Sequence, residues 1–205
     1  MRCLAIVWLL MQLAGCAGSA RNNTPAAVYD FGLPATSLAG DAAWPKLALE
    51  VKAPSWFDGH NIAYRLAYDD PLKMREYAQS QWLGSPASML AQRLGQQLGV
   101  FSANSNTALP CLIRVDLHEF SQVFDTPQQS RGTLHATASL VDVRRRMIAE
   151  RVFAIAQPAR SVDARGGVMA MVAASEEFGR QLAAWLNGLE KAQVLGACRS
   201  AAPGK

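Results

Sequence analysis

His118 and His135 stand closest to a metal-binding pattern, each on the polar side of a stretch that alternates apolar and polar residues. Folding the chain back about "DTPQQS" at 125–130 would bring the two imidazoles opposite or nearly so, with Asp116 and Glu119 close in sequence. Zinc asks for at least a third well-placed protein ligand. Strand alternation turns Glu119 away from His118, so Asp116 is the only near third donor. No metal is expected, and the histidines read as solvent-facing or interface groups. Asp58 and His60, two apart in "PSWFDGHN", suit a loop cap better than the activation of water. The sequence holds no G-x-S-x-G, P-loop, C-x-x-C or HExxH pattern, so no catalytic residue and no cofactor are expected. Arg144, Arg145 and Arg146 are the sharpest local charge. Three adjacent guanidiniums between alternating stretches fit a solvated turn, or contact with lipid phosphates or an acidic partner surface.

The remaining chemistry-bearing residue of note is Cys16. It follows an apolar block from Leu4 to Leu13 behind a positive Met1-Arg2 start. That block is about half of the ~20 residues a transmembrane helix needs, and its flanks are those of a secretory signal peptide. Leu13-Ala14-Gly15-Cys16 resembles the lipobox of bacterial lipoproteins, which implies cleavage between Gly15 and Cys16 and acylation of the cysteine. Two or three acyl chains anchor a protein stably where one does not. Ala17 stands where inner-membrane lipoproteins carry Asp, so the resemblance implies the periplasmic face of the outer membrane of a diderm bacterium.

Several elements must position these groups. "LALEVKA" (47–53) and "IAYRLAY" (62–68) alternate as half-buried strands, joined by a turn at Asp58-Gly59. "DDPLKMREYAQSQWLGS" (69–85) reads as a connector. Ser85 and Pro86 fit an N-cap and first helical position, and Leu90, Leu94 and Leu98 make the buried stripe of the helix that follows. Strands are expected at 111–124, 131–143 and 147–156, forming an antiparallel meander. A long helix runs from about Val162 to Leu189, capped by Asp163, with Gly166 and Gly167 expected to fray its start. The order is ββ-α-βββ-α. The expected fold is α+β, a mostly antiparallel sheet of about five strands with two helices on one face.

Composition sets the bounds. In 205 residues, 50% hydrophobic and 18% charged, there is room for one domain with a real core. A net charge of +4 is too mild to argue for nucleic acid. Residues 1–15 read as signal peptide, 16–28 as a lipidated tether, 29–195 as the domain and 196–205 as a tail. With Cys3 removed and Cys16 acylated, Cys111 and Cys198 remain, either as a disulfide or as two independent thiols.

"YDFGLP", "APSWFDGHNIAYR" and "YAQSQWLGSPASMLAQRLGQQL" together resemble the ABC-type transport auxiliary lipoprotein family. Pro54, Trp56, Asp58, Gly59, Tyr64, Arg65, Tyr77, Trp82 and Pro86 match its pattern, with Phe57 where Leu is commoner. The resemblance covers nearly the whole chain beyond the signal. It implies a non-enzymatic periplasmic lipoprotein serving an intermembrane lipid transport system. The implied partners are an MCE-domain (mammalian cell entry) protein, the ABC transporter permease, or both, with outer-membrane lipid around the anchor; the resemblance also allows a homo-oligomer, such as a ring. Two other readings are a lipid carrier with its own apolar cavity and an envelope-assembly lipoprotein unrelated to lipid transport. Trp56 and Phe57, with Arg144, Arg145 and Arg146, are the candidate contacts to partner or lipid. Read from residue type alone, Trp56 and Phe57 are either a small core under the loop or an exposed aromatic pair.

Overall fold

The computed structural model describes residues 25–38, 44–103 and 109–199. The expectations for the signal peptide, for Gly15 and for Cys16 lie outside the described residues.

One long strand organises the sheet. β6 (Cys111–Thr126) pairs antiparallel with β7 (Gln129–Asp142), from Cys111 opposite Asp142 to Thr126 opposite Gln129. β7 pairs antiparallel with β8 (Met147–Pro158). On its other edge β6 takes two strands end to end, both parallel to it. β2 (Ala48–Lys52) lies along Leu112–Asp116, and β3 (Asn61–Leu66) lies along Gln122–Phe124. The connection between β2 and β3 therefore carries the chain onward along one edge instead of turning it back. Beyond β2 lies the two-residue β5 (Phe101–Ser102), parallel to it. Beyond β3 lies β4 (Asp70–Trp82), antiparallel, and then β1 (Ala27–Tyr29), parallel to β4.

The α+β class holds, but the sheet is mixed and has eight strands among the described residues, not about five mostly antiparallel ones. The stretch 69–85, expected as a connector, is largely β4. It lies near the sheet's edge with both faces mostly wet, so it carries no apolar alternation to mark it. β1 and β5, at 3 and 2 residues, are too short for any periodicity to show.

Both helices pack on one face and share one core with the sheet. α1 (Pro86–Leu98) has Pro86 in its first turn, is capped by Ser85, whose Oγ accepts from the Ser88 amide, and stops at Gly99, held at φ 65°. Leu90, Leu94 and Leu98 are its buried stripe. α2 (Ala164–Lys191) is capped by Asp163, whose Oδ1 accepts from the Gly166 amide at 2.7 Å. Gly166 and Gly167 do not fray; both are buried. α2 lies close on β7, whose core side is Leu134, Ala136, Ala138 and Leu140. At Gly132 the approach is closer still, for a Cβ there would lie 2.4 Å from the backbone of Ala170 and Met171.

Along β6 the inward side changes parity. Ile113, Val115 and Leu117 face the helices, and then Phe120 and Gln122 do. A β-bulge between Leu117 and Glu119 supplies the extra residue.

Candidate functional site

The bulge decides what the open face of the sheet presents. Because His118 is the extra residue, Glu119 is the partner of His135 and sits on the open face beside it. This corrects the expectation that Glu119 points to the opposite side. Glu119 is spoken for, however. Arg65 of β3 reaches it through Nε at 3.4 Å and Nη2 at 3.1 Å, and the Ser121 hydroxyl donates to it at 2.6 Å. His118 Nε2 lies 2.9 Å from Thr137 Oγ1. Among the described residues no three metal-ligating side chains converge.

Trp56 and Phe57 part company. They form a 3₁₀ turn, Ser55–Phe57, that bridges the end of β2 to the start of β3. Phe57 is buried and packs as a core residue, whereas Trp56 is 73% exposed. On the open face beside them is a shallow cavity of about 250 Å³, walled by Trp56, Leu72 and Met74, with Arg65 and Glu76 at its polar side. Leu72, from β4, is 89% exposed, so an indole and an isobutyl group stand together in solvent. Leu72 sits in the stretch read as a connector, and only the pairing of β3 with β4 brings it here.

The three arginines occupy the turn between β7 and β8, and one is neutralised. The Asp142 carboxylate accepts from the Arg144 and Arg146 amides at 2.8 and 2.9 Å and pairs with the Arg146 guanidinium at 2.7 Å. These bonds, the Arg146 amide foremost, hold its carboxyl below the ordinary aspartate value. Arg145 takes a left-handed φ of 60°, unusual for a side chain with a Cβ. Arg144 and Arg145 extend into solvent with no ion pair among the described residues, flanked by exposed Val143 and Met147.

The residues of the sequence pattern serve the scaffold. Trp82 is buried against Phe31 and Phe120, with ring centroids at 5.3 and 5.8 Å. Tyr77 stacks on Tyr64 and donates its hydroxyl to Gln122 Oε1 at 2.8 Å, while Gln122 Nε2 donates to Ser130 Oγ at 2.8 Å. Burial pushes the Tyr77 phenol's pKa well above its ordinary value. Buried Arg93, which sequence reading passed over, donates to the Phe31 and Gly32 carbonyls and ties the segment after β1 to α1. The sulfurs of Cys111 and Cys198 are bonded, joining the start of β6 to the short 3₁₀ helix Val194–Cys198 that follows α2.

The family model for the ABC-type transport auxiliary lipoprotein component matches residues 31–183. The chain belongs to that family. A Xanthomonas campestris protein of the DUF330 family shares its fold, at TM-score 0.65 and 19% identity, over 81% of this chain and 99% of that one. An uncharacterized protein does likewise at TM-score 0.62 and 13% identity, over 79% and 99%. No curated protein sequence matches the chain. The family is one of transport auxiliary lipoproteins, and the match spans the elements that carry the open-face cavity and the arginine turn.

Proposed function

We propose that this lipoprotein is anchored through Cys16 to the periplasmic face of the outer membrane and acts as a non-enzymatic adaptor. In that role it holds an MCE-domain protein, or the transporter permease, of an intermembrane lipid transport system. The observation that carries the reading is the family match over residues 31–183 behind the Leu13-Ala14-Gly15-Cys16 box.

The strand directions support a division of labour. β1 is parallel to β4, β4 antiparallel to β3, and β3 parallel to β6, so the chain enters the sheet running against β6. The arginine turn stands at the other extreme, next to Cys111 at the start of β6. A strand of the length of β6 spans about 50 Å. The described chain thus runs into β1 from the side of the Thr126 end of β6, and Arg144 and Arg145 are carried at the opposite end. This favours an acidic partner surface over the anchoring leaflet as their counterpart. Trp56 and Leu72 offer a second, apolar contact on the open face. The carrier reading is the weaker one: the buried side chains between sheet and helices form one contiguous cluster among the described residues.

The test is cross-linking and affinity capture from membranes. Wild type should recover an MCE-domain protein, Arg144→Ser/Arg145→Ser should lose most of it, and Cys16→Ser should lose both palmitate labelling and membrane fractionation. Recovery undiminished in the arginine variant would remove the turn from the reading. Palmitate on the Cys16→Ser chain would remove the anchor.

A further inference from the structure

The cavity on the open face holds one charge with no partner among the described residues. Glu76 of β4 is exposed in its wall, and its carboxylate makes no hydrogen bond or ion pair among them. Arg65, the cation in the same wall, is fully engaged. Its Nε and Nη2 donate to Glu119, and its Nη1 donates to the Pro71 and Leu72 carbonyls at 3.4 Å. The charge left over is therefore negative. Asn61, at the start of β3, adds an exposed carboxamide to the wall.

The remaining walls are apolar, and one is aromatic. Trp56 and Leu72 stand in solvent, with half-buried Met74 in the same wall. The face of an indole carries a negative potential and attracts a cation. Lysine and arginine carry their charge on an apolar stem, which packs along groups such as Leu72 and Met74 while the head stays wet. Other occupants fit less well. A purely apolar group would strip water from Glu76 without replacing it. An anion would meet that carboxylate directly. A volume of about 250 Å³ holds a single side chain and lies below the ~300–1,000 Å³ of ordinary small-ligand pockets.

We propose that this cavity takes one lysine or arginine side chain of a partner polypeptide. The cationic head sits between the Glu76 carboxylate and the Trp56 indole, and its stem lies along Leu72 and Met74. That the cation belongs to a partner rests on the adaptor reading above; the preference for a cation rests on the cavity alone. With Arg144 and Arg145 set against an acidic surface, the two contacts have opposite polarity. A partner must then carry both charges at the right spacing, which fixes its orientation and rejects surfaces of a single sign.

The probes are Nα-acetyl-lysine N-methylamide and its arginine counterpart, titrated into the full-length chain in detergent micelles. Binding is read by NMR at the Leu72 and Met74 amides, where both probes should give saturable shifts. The neutral control, the same lysine probe acetylated on its ε-nitrogen, should bind about tenfold more weakly. Glu76→Gln and Trp56→Leu, both at exposed positions, should each weaken the lysine probe about three- to fivefold. Trp56→Leu keeps an apolar group in place, so its effect reports the cation contact and not burial. Equal binding of the neutral control, unchanged affinity in Glu76→Gln, or shifts centred elsewhere on the molecule would each overturn the proposal. Tighter binding of phosphoethanolamine than of either probe would overturn it too, since the cation would then be a lipid headgroup. Failure to recover an MCE-domain protein sinks the adaptor role and leaves this titration unchanged, so the two readings fail separately.

Discussion

Reducing the Cys111–Cys198 bond should cost the protein a large part of its stability, and the size follows from where the two sulfurs sit. They are 87 residues apart, and the chain between them comprises β6, β7, β8 and α2. The closed loop therefore contains most of the helix-facing core. Loop-closure entropy for a ring of that length amounts to about 4.6 kcal/mol at 25 °C. Against a typical net stability of about 5–15 kcal/mol this is a third or more. With a urea slope of about 2 kcal/mol per molar, the unfolding midpoint should drop by about 2 M when dithiothreitol is present throughout. Reduction is cleaner than substitution, because both cysteines are buried and their removal would also leave small cavities. Circular dichroism through a urea series, with and without reductant, makes the measurement. There is a contrary outcome with a clear meaning. If the main transition stays within about 0.3 M and only a small early step appears, the bond holds the 3₁₀ helix locally, and the loop-entropy argument is wrong.

Asp163 caps α2 with a carboxyl whose pKa is lowered, chiefly by the hydrogen bond from the Gly166 amide. A depressed folded value means stability that is present above the ordinary aspartate range and lost as pH falls through the folded value. Asp163→Ala should therefore cost about 1 kcal/mol at neutral pH, and the gap to wild type should narrow in melts run below pH 3.8. Tyr77→Phe removes the donor to Gln122 Oε1 within a buried network and should cost about 1–3 kcal/mol in chemical denaturation, with the fold retained. Gly132→Ala would drive a methyl into the backbone of α2, and the soluble yield and melting temperature should fall well beyond what the same change does at Gly95.

Much of this was legible locally. Ser85-Pro86 starts α1 where capping chemistry says it should, and Leu90, Leu94 and Leu98 are its buried stripe. Leu134, Ala136, Ala138 and Leu140 alternate inward as read. These features depend on neighbours in sequence, and a window of a dozen residues contains their cause. β4 lacked that signal because most of its side chains meet water on either face. Glu119 lies on the open face, against simple strand alternation, because a single extra residue at His118 inverts the parity of everything after it. The spacing of Leu117 and Phe120, three where two was the rule, was the trace of that bulge in the sequence.

By itself the sequence determined the family pattern, the α+β class, both helices and the meander, since capping, alternation and turn residues act over short distances. Only the tertiary structure decided that β2 and β3 run end to end along β6, and that Trp56 and Leu72 wall one cavity. Each of these depends on which distant strands become neighbours. That choice is made by the packing of the whole sheet against α1 and α2, and no single segment encodes it.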